Sequence, residues 1–364
     1  MNAANKKYTV LLLSAPIGSG HRLAAEALEQ VLADNEAVHV VHGNIFDFFP
    51  HFVGTVFLKC YLRMLQSFPW MYKYMYKWGN QEKGSVWMKN VINGLLAKMG
   101  RSYLQKVNPD AVIATHATPA GIIGIYKKTL AVPLFLGAVI TDFTIHKWWI
   151  CDGVDTYFIA NERLQKRLPP DADVQSYGIP VRRRFAGLSR QEARKKLGIA
   201  AQDKICLLLG GGEGLLPMVS IVNGLPQDLG PDFRIIAVTG HNQQLAADLR
   251  RLQRSDLTVH GFTEQLPEIM AASDMVISKA GGLTSAEVLA LGLHFIIYHP
   301  LPGQEEGNAR FLQQYCHAAV AADIKDVSRY VREFYNHTER EVILGRPQAA
   351  EKICAYVLQH LKQN

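Results

Sequence analysis

The fold is decided by the stretch Ser278-Lys279-Ala280-Gly281-Gly282-Leu283-Thr284-Ser285-Ala286-Glu287. The apolar run that ends at Ser278 is typical of a buried strand, Gly281-Gly282 makes a turn, and the residues from Thr284 onward predict a helix. A glycine turn at the start of a helix leaves unpaired N–H groups and the positive end of the helix dipole at one point. The stretch therefore predicts a phosphate site after a parallel strand.

The next loop adds polar groups to this predicted site. It has the sequence His299-Pro300-Leu301-Pro302-Gly303-Gln304-Glu305-Glu306-Gly307-Asn308. Glu287, one helical turn after the glycines, is placed to accept hydrogen bonds from sugar hydroxyls, and polar residues of the loop can hold a second sugar. Together they indicate a nucleotide-sugar site in the second half of the chain.

Strand and helix signals alternate along both halves of the chain, which predicts two doubly wound, Rossmann-like α/β domains in tandem. Predicted strands occupy 8–14, 38–41, 108–116, 132–142, 156–160, 204–210, 233–240, 257–259, 275–278 and 295–298, with the first helix at 21–34. Apolar character throughout the strands indicates parallel sheets covered on both faces. We expect an N-terminal acceptor domain at 1–185, a nucleotide-sugar domain at 186–345, a final helix at 346–364 and a cleft between the domains.

The composition is that of a globular protein, with 364 residues, 48% hydrophobic residues, 20% charged residues and a net charge of +7. Five scattered cysteines without metal spacing favour a reducing compartment. The apolar run 8–13 is better explained by a first buried strand than by a signal peptide. No apolar run reaches the roughly 18–20 residues of a membrane span.

The segment 51–100 has an unusual composition, with seven Lys or Arg residues, one acidic residue and ten aromatic residues. Aromatic rings among basic residues suit a membrane interface with anionic lipid. A packed helical subdomain and a single-stranded nucleic-acid surface are the alternatives. We expect an anionic membrane surface as the partner and no nucleic acid, with candidate contacts at Lys59, Arg63, Trp70, Lys73, Tyr74, Lys77 and Trp78.

A second glycine turn, Gly18-Ser19-Gly20-His21, joins the first predicted strand to the first helix. The helix dipole at this position disfavours an imidazolium, so His21 is expected to be neutral and able to act as a base. A structural or helix-capping histidine is the alternative. Gly20 allows a ligand to approach the backbone closely.

Other polar clusters follow predicted strands. Gly212 belongs to a run of glycines that is typical of either a diphosphate-binding loop or a tight turn. The Phe262 ring can form one side of a nucleobase pocket, or it can pack in the hydrophobic core. Asp142 and His146 can shape an acceptor site, with a helix cap at Thr141 or Asp142 as the alternative. His116, at the end of the third strand, is left unassigned. No Asp-x-Asp metal signature follows a strand, so we expect no metal or other cofactor. We expect backbone amides and helix dipoles to stabilise the leaving group instead.

With these motifs in hand, the chain resembles the monogalactosyldiacylglycerol synthase and processive diacylglycerol glucosyltransferase family. More distantly it is similar to the peptidoglycan glycosyltransferase that adds N-acetylglucosamine to lipid I. The matching stretches run in the family's order: 18–22, 141–142 with the following tryptophans, 178–181, 210–214, 281–287 and 302–308. The combination is specific, although each motif alone is not.

The resemblance implies a GT-B glycosyltransferase that moves a hexose from a UDP-sugar to diacylglycerol, or to its glycosylated form, with inversion. It implies that His21 is the base and that Phe262 lines the uracil pocket. It assigns the diphosphate to Gly281, Gly282 and Thr284, the ribose to Glu287, and the donor hexose to Gln304 and Glu305. The segment 51–100 matches the place where the family meets the bilayer, which implies a peripheral location on the cytoplasmic face.

Two departures from the family pattern stand out. His241 occupies a position where Lys or Arg is expected, which leaves the charge beside the phosphates in doubt, and Leu283 replaces an isoleucine found in some relatives. Two rival hypotheses remain open from the sequence: a nucleotide-sugar epimerase on the same frame, and a non-catalytic protein that senses UDP-sugar or lipid.

Overall fold

The computed structural model describes residues 7–15, 19–48, 83–212, 214–337 and 344–363. The chain divides into two compact units, Met1–Arg182 with Gln348–Asn364, and Arg183–Pro347. The sequence placed the corresponding boundaries after residues 185 and 345. The seven candidate membrane contacts between Lys59 and Trp78 lie outside the described residues.

In the described part of unit 1, six parallel strands form a sheet of order β2-β1-β3-β4-β5-β6. The strands are β1 Tyr8–Ser14, β2 Val38–Asn44, β3 Ala111–Ala114, β4 Phe135–Val139, β5 Thr156–Phe158 and β6 Asp173–Gln175. The helices are α1 Ser19–Leu32, α2 Lys83–Val107 and α3 Ala117–Leu130, with 3₁₀ turns at Ile45–Phe48, Lys147–Trp149 and Glu162–Arg167. The β1 residues Leu11 to Leu13 are fully buried, as expected for a sheet covered on both faces.

Unit 2 repeats this architecture, and its described residues form a six-stranded parallel sheet of order β12-β11-β10-β7-β8-β9. The strands are β7 Lys204–Leu209, β8 Phe233–Val238, β9 Leu257–His260, β10 Met275–Ser278, β11 His294–Tyr298 and β12 Ala319–Ala321. The helices are α4 Arg183–Ala186, α5 Arg190–Leu197, α6 Met218–Gly224, α7 Gln243–Arg250, α8 Leu266–Ala272, α9 Gly282–Ala290, α10 Gln304–Tyr315 and α11 Ile324–Asn336.

The final helix, α12 (Ala349–Gln363), belongs to unit 1 rather than to the unit that precedes it in the chain. Its buried residues Ile353 and Val357 join the core that contains Leu28 of α1. The Tyr356 hydroxyl donates a hydrogen bond to Asp173 Oδ2 at 2.6 Å, which ties the helix to the edge strand β6. Apolar burial and this edge contact together hold the chain end on unit 1.

Helix α2 reverses the usual amphipathic arrangement over part of its length. Its buried side carries Lys89 and Asn93, which are 5% and 2% exposed. Lys89 Nζ donates a hydrogen bond to the Ile150 carbonyl at 2.7 Å, so the buried ammonium has a partner. The apolar residues Trp87, Val91, Ile92, Leu95 and Met99 are instead exposed. None of the helices in the described segments has the length and apolar character needed to cross a bilayer.

A buried carboxylate fixes β10, the strand that leads to the glycine turn of unit 2. Asp274, 2% exposed, pairs with Arg190 and with Arg194, the latter at 2.9 Å. Its Oδ2 also accepts a hydrogen bond from the Ile205 N–H at 2.7 Å, which joins β10 to β7. This network therefore sets the position of the two strands whose far ends carry the candidate donor site.

We expect Asp274→Asn to lower the free energy of unfolding of unit 2 by about 3–5 kcal/mol, because it leaves two guanidinium groups without their buried counter-charge. Urea unfolding followed by circular dichroism measures the change, since all five tryptophans precede residue 150 and do not report on unit 2. Asp248→Asn is the matched control: it breaks the exposed 2.8 Å pair with Arg251 and should cost less than about 1 kcal/mol. Equal losses in the two variants would contradict a structural role for the buried network.

Candidate functional site

The strand order of each sheet reverses at one pair of neighbouring strands, and the glycine turns predicted from the sequence follow strands of these two pairs. In unit 1 the reversal falls between β1 and β3, whose carboxyl ends lead to His21 and to Thr115. In unit 2 it falls between β7 and β10, whose ends lead to the glycine loop and to the Gly281 turn. Ligands of doubly wound sheets bind at such reversals.

His21, in the first turn of α1, is held by two threonines. Its Nδ1 lies 2.8 Å from the Thr115 carbonyl oxygen and 2.9 Å from Thr141 Oγ1. The Thr115 hydroxyl in turn donates a hydrogen bond to the His21 carbonyl at 3.0 Å. Because a carbonyl oxygen can only accept a hydrogen bond, the ring carries its proton on Nδ1. Nε2 is then the nitrogen with a lone pair to receive a proton.

The surroundings of His21 favour the neutral imidazole. Burial lowers the pKa of His21, and the hydrogen bond to Thr115 opposes this effect only in part. The ring of His116 meets that of His21 edge-on at 4.7 Å between centroids. Burial and, secondarily, the nearby His21 hold the pKa of His116 well below its usual value. His21 is thus kept in the form that a general base requires.

His116 has a structural task of its own, because its Nδ1 accepts a hydrogen bond from the Thr118 N–H at 3.2 Å and caps helix α3. The sequence does not reveal the backbone carbonyl of Thr115 as a partner of His21, because a side-chain motif carries no information about a carbonyl. Thr141 was considered only as a helix cap, and its hydroxyl instead contacts His21.

Asp142 and His146 lie on the loop after β4, near Thr141 in the chain. The Asp142 side chain is 4% exposed. His146 Nδ1 accepts a hydrogen bond from the Trp148 N–H at 3.1 Å and so caps the 3₁₀ turn Lys147–Trp149. The cap that the sequence suggested at Thr141 or Asp142 is therefore made by His146, and an acceptor-binding role for Asp142 and His146 remains a prediction.

In unit 2, Gly281 is the N-cap of α9 and has no side chain to satisfy the first N–H groups. The space beside it is open, since a methyl group on its Cα would meet no other heavy atom within 4 Å. The first turn of α9 has no acidic residue, so the positive dipole end is not neutralised there. Gly282 and Thr284 lie in this turn, whereas Glu287 is in the next turn with its side chain 4% exposed.

Helix α10 starts beside the same turn. The fully buried Asn308 donates a hydrogen bond from Nδ2 to the Ala280 carbonyl at 3.0 Å, which fixes α10 against the residue before Gly281. Gln304 is the first residue of α10 and Glu305 the second. Glu305 Oε2 accepts a hydrogen bond from the Leu301 N–H at 2.6 Å, and Oε1 lies 3.3 Å from Lys279 Nζ. The sequence had given Lys279 no role.

The glycine loop after β7 packs closely on the loop after β8. The Gly212 carbonyl accepts a hydrogen bond from the His241 N–H at 3.0 Å. Gly240 has φ +61°, and a Cβ there would lie 2.4 Å from the Gly212 carbonyl oxygen. A side chain at Gly240 would separate the two loops, so part of the glycine signal has a structural cause. Donor binding by Gly212, and by Gly20 in α1, remains a prediction.

A cavity of about 380 Å³ lies beside Phe262, lined by Thr239, Gly240, His241, Gln243, Ala246, Arg250, Gly261 and Phe262. Phe262 is 66% exposed and stacks on His241 at 4.7 Å and 10° between ring planes. An exposed, stacked aromatic ring at a strand end can receive a planar nucleobase. Among the described side chains, no three His, Cys, Asp or Glu residues come together in a way that could hold a metal ion.

Comparisons with known proteins cover both units. The model of the family described as monogalactosyldiacylglycerol (MGDG) synthase matches residues 21–181, and that of the glycosyltransferase family 28 C-terminal domain matches residues 205–340. The processive diacylglycerol beta-glucosyltransferase of Bacillus pumilus is 30% identical over 355 residues, covering 92% of this chain and 88% of the relative. The protein of the same name from Bacillus cereus strain B4264 is 29% identical, covering 88% and 84%.

Solved structures share the fold over the length of both units. Acinetobacter baumannii MurG superposes with a TM-score of 0.62 at 16% identity, covering 97% of this chain and 99% of MurG. The UDP-GlcNAc 2-epimerase of Neisseria meningitidis, solved with UDP-GlcNAc, superposes with a TM-score of 0.57 at 13% identity, covering 96% of this chain and 100% of the epimerase. These likenesses confirm the predicted two-domain α/β fold of the GT-B type, and a transferase and an epimerase share it.

The hydrogen bonds of His21 lead to a spectroscopic prediction. In long-range ¹H–¹⁵N spectra of histidine-labelled protein, we expect His21 to carry its proton on Nδ1, with an unprotonated Nε2. We expect its titration midpoint to lie below 6.5, because burial lowers the pKa of the ring. His21→Gln assigns the signal by its loss. A proton on Nε2, or a midpoint at or above 6.5, would contradict the deduced tautomer or the effect of burial.

Proposed function

The chain belongs to the family of monogalactosyldiacylglycerol synthases and processive diacylglycerol glucosyltransferases, and we propose that it transfers a hexose from a UDP-sugar to diacylglycerol or a glycosyldiacylglycerol, with inversion at the anomeric carbon. The observation that carries this proposal is the 30% identity to a processive diacylglycerol beta-glucosyltransferase over 92% of the chain. We propose glucose as the donor hexose because the relatives are named as glucosyltransferases.

We propose that unit 2 binds the donor. The open N-terminus of α9 at Gly281 supplies N–H groups and a positive dipole end for the diphosphate, with Gly282 and Thr284 in the same turn. The stacked ring of Phe262, beside the cavity, suits the uracil base. Glu287 is assigned to the ribose hydroxyls, and Gln304 and Glu305 at the start of α10 to the hexose.

We propose that unit 1 supplies the base. The acceptor hydroxyl gives its proton to His21 Nε2 as its oxygen attacks the anomeric carbon, and the bond from that carbon to the β-phosphate oxygen breaks. The Thr115 carbonyl, which can only accept a hydrogen bond, keeps the other ring nitrogen protonated, so that Nε2 stays available. As Nε2 accepts the proton, the Nδ1–H bond to the carbonyl strengthens and stabilises the imidazolium that forms.

We propose that the exposed side of α2 meets the membrane. Trp87, Val91, Leu95 and Met99 follow one another at intervals of four residues, so they lie along one side of the helix, and they are 69%, 42%, 61% and 50% exposed. Helix α2 contains no acidic residue and carries exposed Lys98, Arg101 and Lys106. An apolar stripe flanked by cations alone complements a surface of anionic lipid.

We propose the cytoplasmic face of the cell membrane as the location. The thiols of Cys151, Cys206, Cys316 and Cys354 are free, which suits a reducing compartment. A peripheral attachment through α2 gives the enzyme access to an acceptor that lies in the bilayer.

The function is tested by incubating the protein with labelled UDP-glucose or UDP-galactose, with and without diacylglycerol vesicles. We expect label in the lipid extract only when vesicles are present, and more of it from UDP-glucose. Conversion of free UDP-sugar without lipid would identify an epimerase, and binding without turnover would identify a sensor. Either of these results would overturn the proposal.

In the same assay, we expect His21→Ala to reduce transfer by about 10²–10⁴-fold at saturating donor, as loss of a general base does. The exposed His39 of β2 gives a matched control, and His39→Ala should transfer at the wild-type rate. Because the pKa of His21 is lowered, its neutral form persists below pH 6.5, so wild-type activity should fall on the acid side only below that value. Near-wild-type transfer by His21→Ala would exclude it as the base.

The membrane proposal is tested by flotation with vesicles. We expect the double variant Trp87→Gln with Leu95→Gln to bind phosphatidylglycerol vesicles at least about tenfold more weakly, because two apolar side chains no longer leave water. Leu215→Gln is the control, since Leu215 is 57% exposed in unit 2. Transfer to detergent-dispersed diacylglycerol should be unchanged in both variants. Unaltered vesicle binding, or a loss of single-stranded nucleic-acid binding instead, would contradict the membrane assignment.

A further inference from the structure

Lys279 is a lysine whose donors are largely unused in a nearly buried place. The side chains of Lys279 and Glu305 are each 14% exposed, and Lys279 Nζ lies 3.3 Å from Glu305 Oε1. An ammonium has three N–H donors, and this single long contact is the one partner that the described residues give to Lys279. The remaining donors have no protein partner among the described residues, so the ammonium can bind a second, anionic partner beside Glu305.

The position of Lys279 in the chain indicates which anion the ammonium can bind. The residue lies between the end of β10 and Gly281, where α9 begins with an open and uncapped N-terminus. Asn308, through its bond to the Ala280 carbonyl, fixes the start of α10 at the same place. The uncapped N-terminus of α9 and one ammonium therefore lie next to each other in the chain at the turn assigned to the diphosphate.

Glu305 does not depend on Lys279 for its own placement. Its Oε2 is fixed by the Leu301 N–H at 2.6 Å, within its own loop. Its Oε1, the atom that faces Lys279, has acceptor capacity for a sugar hydroxyl as well. The two members of the ion pair can therefore separate without loss of the loop.

We propose that Lys279 is the cation that binds the donor diphosphate, and that Glu305 holds it until the donor arrives. When the UDP-sugar binds, Lys279 moves to the β-phosphate and Glu305 Oε1 accepts a hydrogen bond from a hexose hydroxyl. The electron pair of the broken glycosyl–oxygen bond then remains on a β-phosphate oxygen beside the ammonium, while the acceptor proton goes to His21. The inference rests on the proposed function, and it supplies the positive charge that His241 left in doubt.

The test is the affinity of the purified full chain for uridine, UDP and UDP-glucose by isothermal titration calorimetry, without lipid. We expect Lys279→Met to weaken UDP binding by about tenfold or more, because a charge-assisted contact is lost, and to leave uridine binding unchanged. Lys195→Met is the control, since Lys195 is exposed on α5. Unchanged uridine affinity also shows that the variant is folded.

The variant Glu305→Gln distinguishes transfer of Lys279 from Glu305 to the diphosphate from an ion pair that has only a structural role. Glutamine still accepts the Leu301 N–H bond but no longer competes for the ammonium. We therefore expect UDP to bind more tightly than in the wild type and UDP-glucose to gain less or to lose affinity. Equal weakening of both ligands, or equal loss of uridine and UDP in Lys279→Met, would overturn the proposal. A wild-type protein that binds no UDP would instead refute the proposed function.

Discussion

Both candidate sites depend on one topological constraint, the reversal of strand order within a parallel sheet. From β1 the chain moves to one side of the sheet to form β2, and it returns on the other side as β3. The connections that leave β1 and β3 therefore diverge, and the backbone groups at the ends of these strands stay uncovered. The same divergence separates the connections after β7 and β10 in unit 2. The bond between Thr115 and His21, and the open turn at Gly281, are consequences of this constraint.

The two reversals are used for opposite electrostatic purposes. At the first, the groups that bond the His21 ring are uncharged, and burial lowers the pKa of both His21 and His116, so the site keeps a neutral nitrogen available. At the second, the uncapped N-terminus of α9 and the partly buried Lys279 both contribute positive charge. A base is favoured by neutral neighbours, whereas a diphosphate is favoured by positive ones. The proposed base and the proposed diphosphate site lie in different units, and each has the electrostatic surroundings that its proposed role requires.

The sequence predicted the strands of the sheet interiors because these are continuous apolar runs. The two strands that it did not predict, Asp173–Gln175 and Ala319–Ala321, are three residues long and lie at the edges of their sheets. A strand of three residues at a sheet edge is too short to show alternation or a continuous apolar run, so periodicity gives no signal for these two. Helix α2 was not predicted for a different reason. Its buried side contains Lys89 and Asn93 while its exposed side is apolar, which is the inverse of the pattern that identifies the buried face of a helix.

The candidate site divides in the same way. Motifs located His21 and the Gly281 turn, because a glycine turn and a titratable side chain are visible as residue types. The groups that prepare these residues for chemistry were not visible: one is a backbone carbonyl at Thr115, and another is an ion pair between Lys279 and Glu305, which are 26 positions apart. The sequence identifies the residues proposed to react, whereas the fold brings together the groups that set their charge. If Lys279 binds the diphosphate as proposed, the positive charge beside the phosphates comes from a residue that the fold places there, and His241 need not supply it.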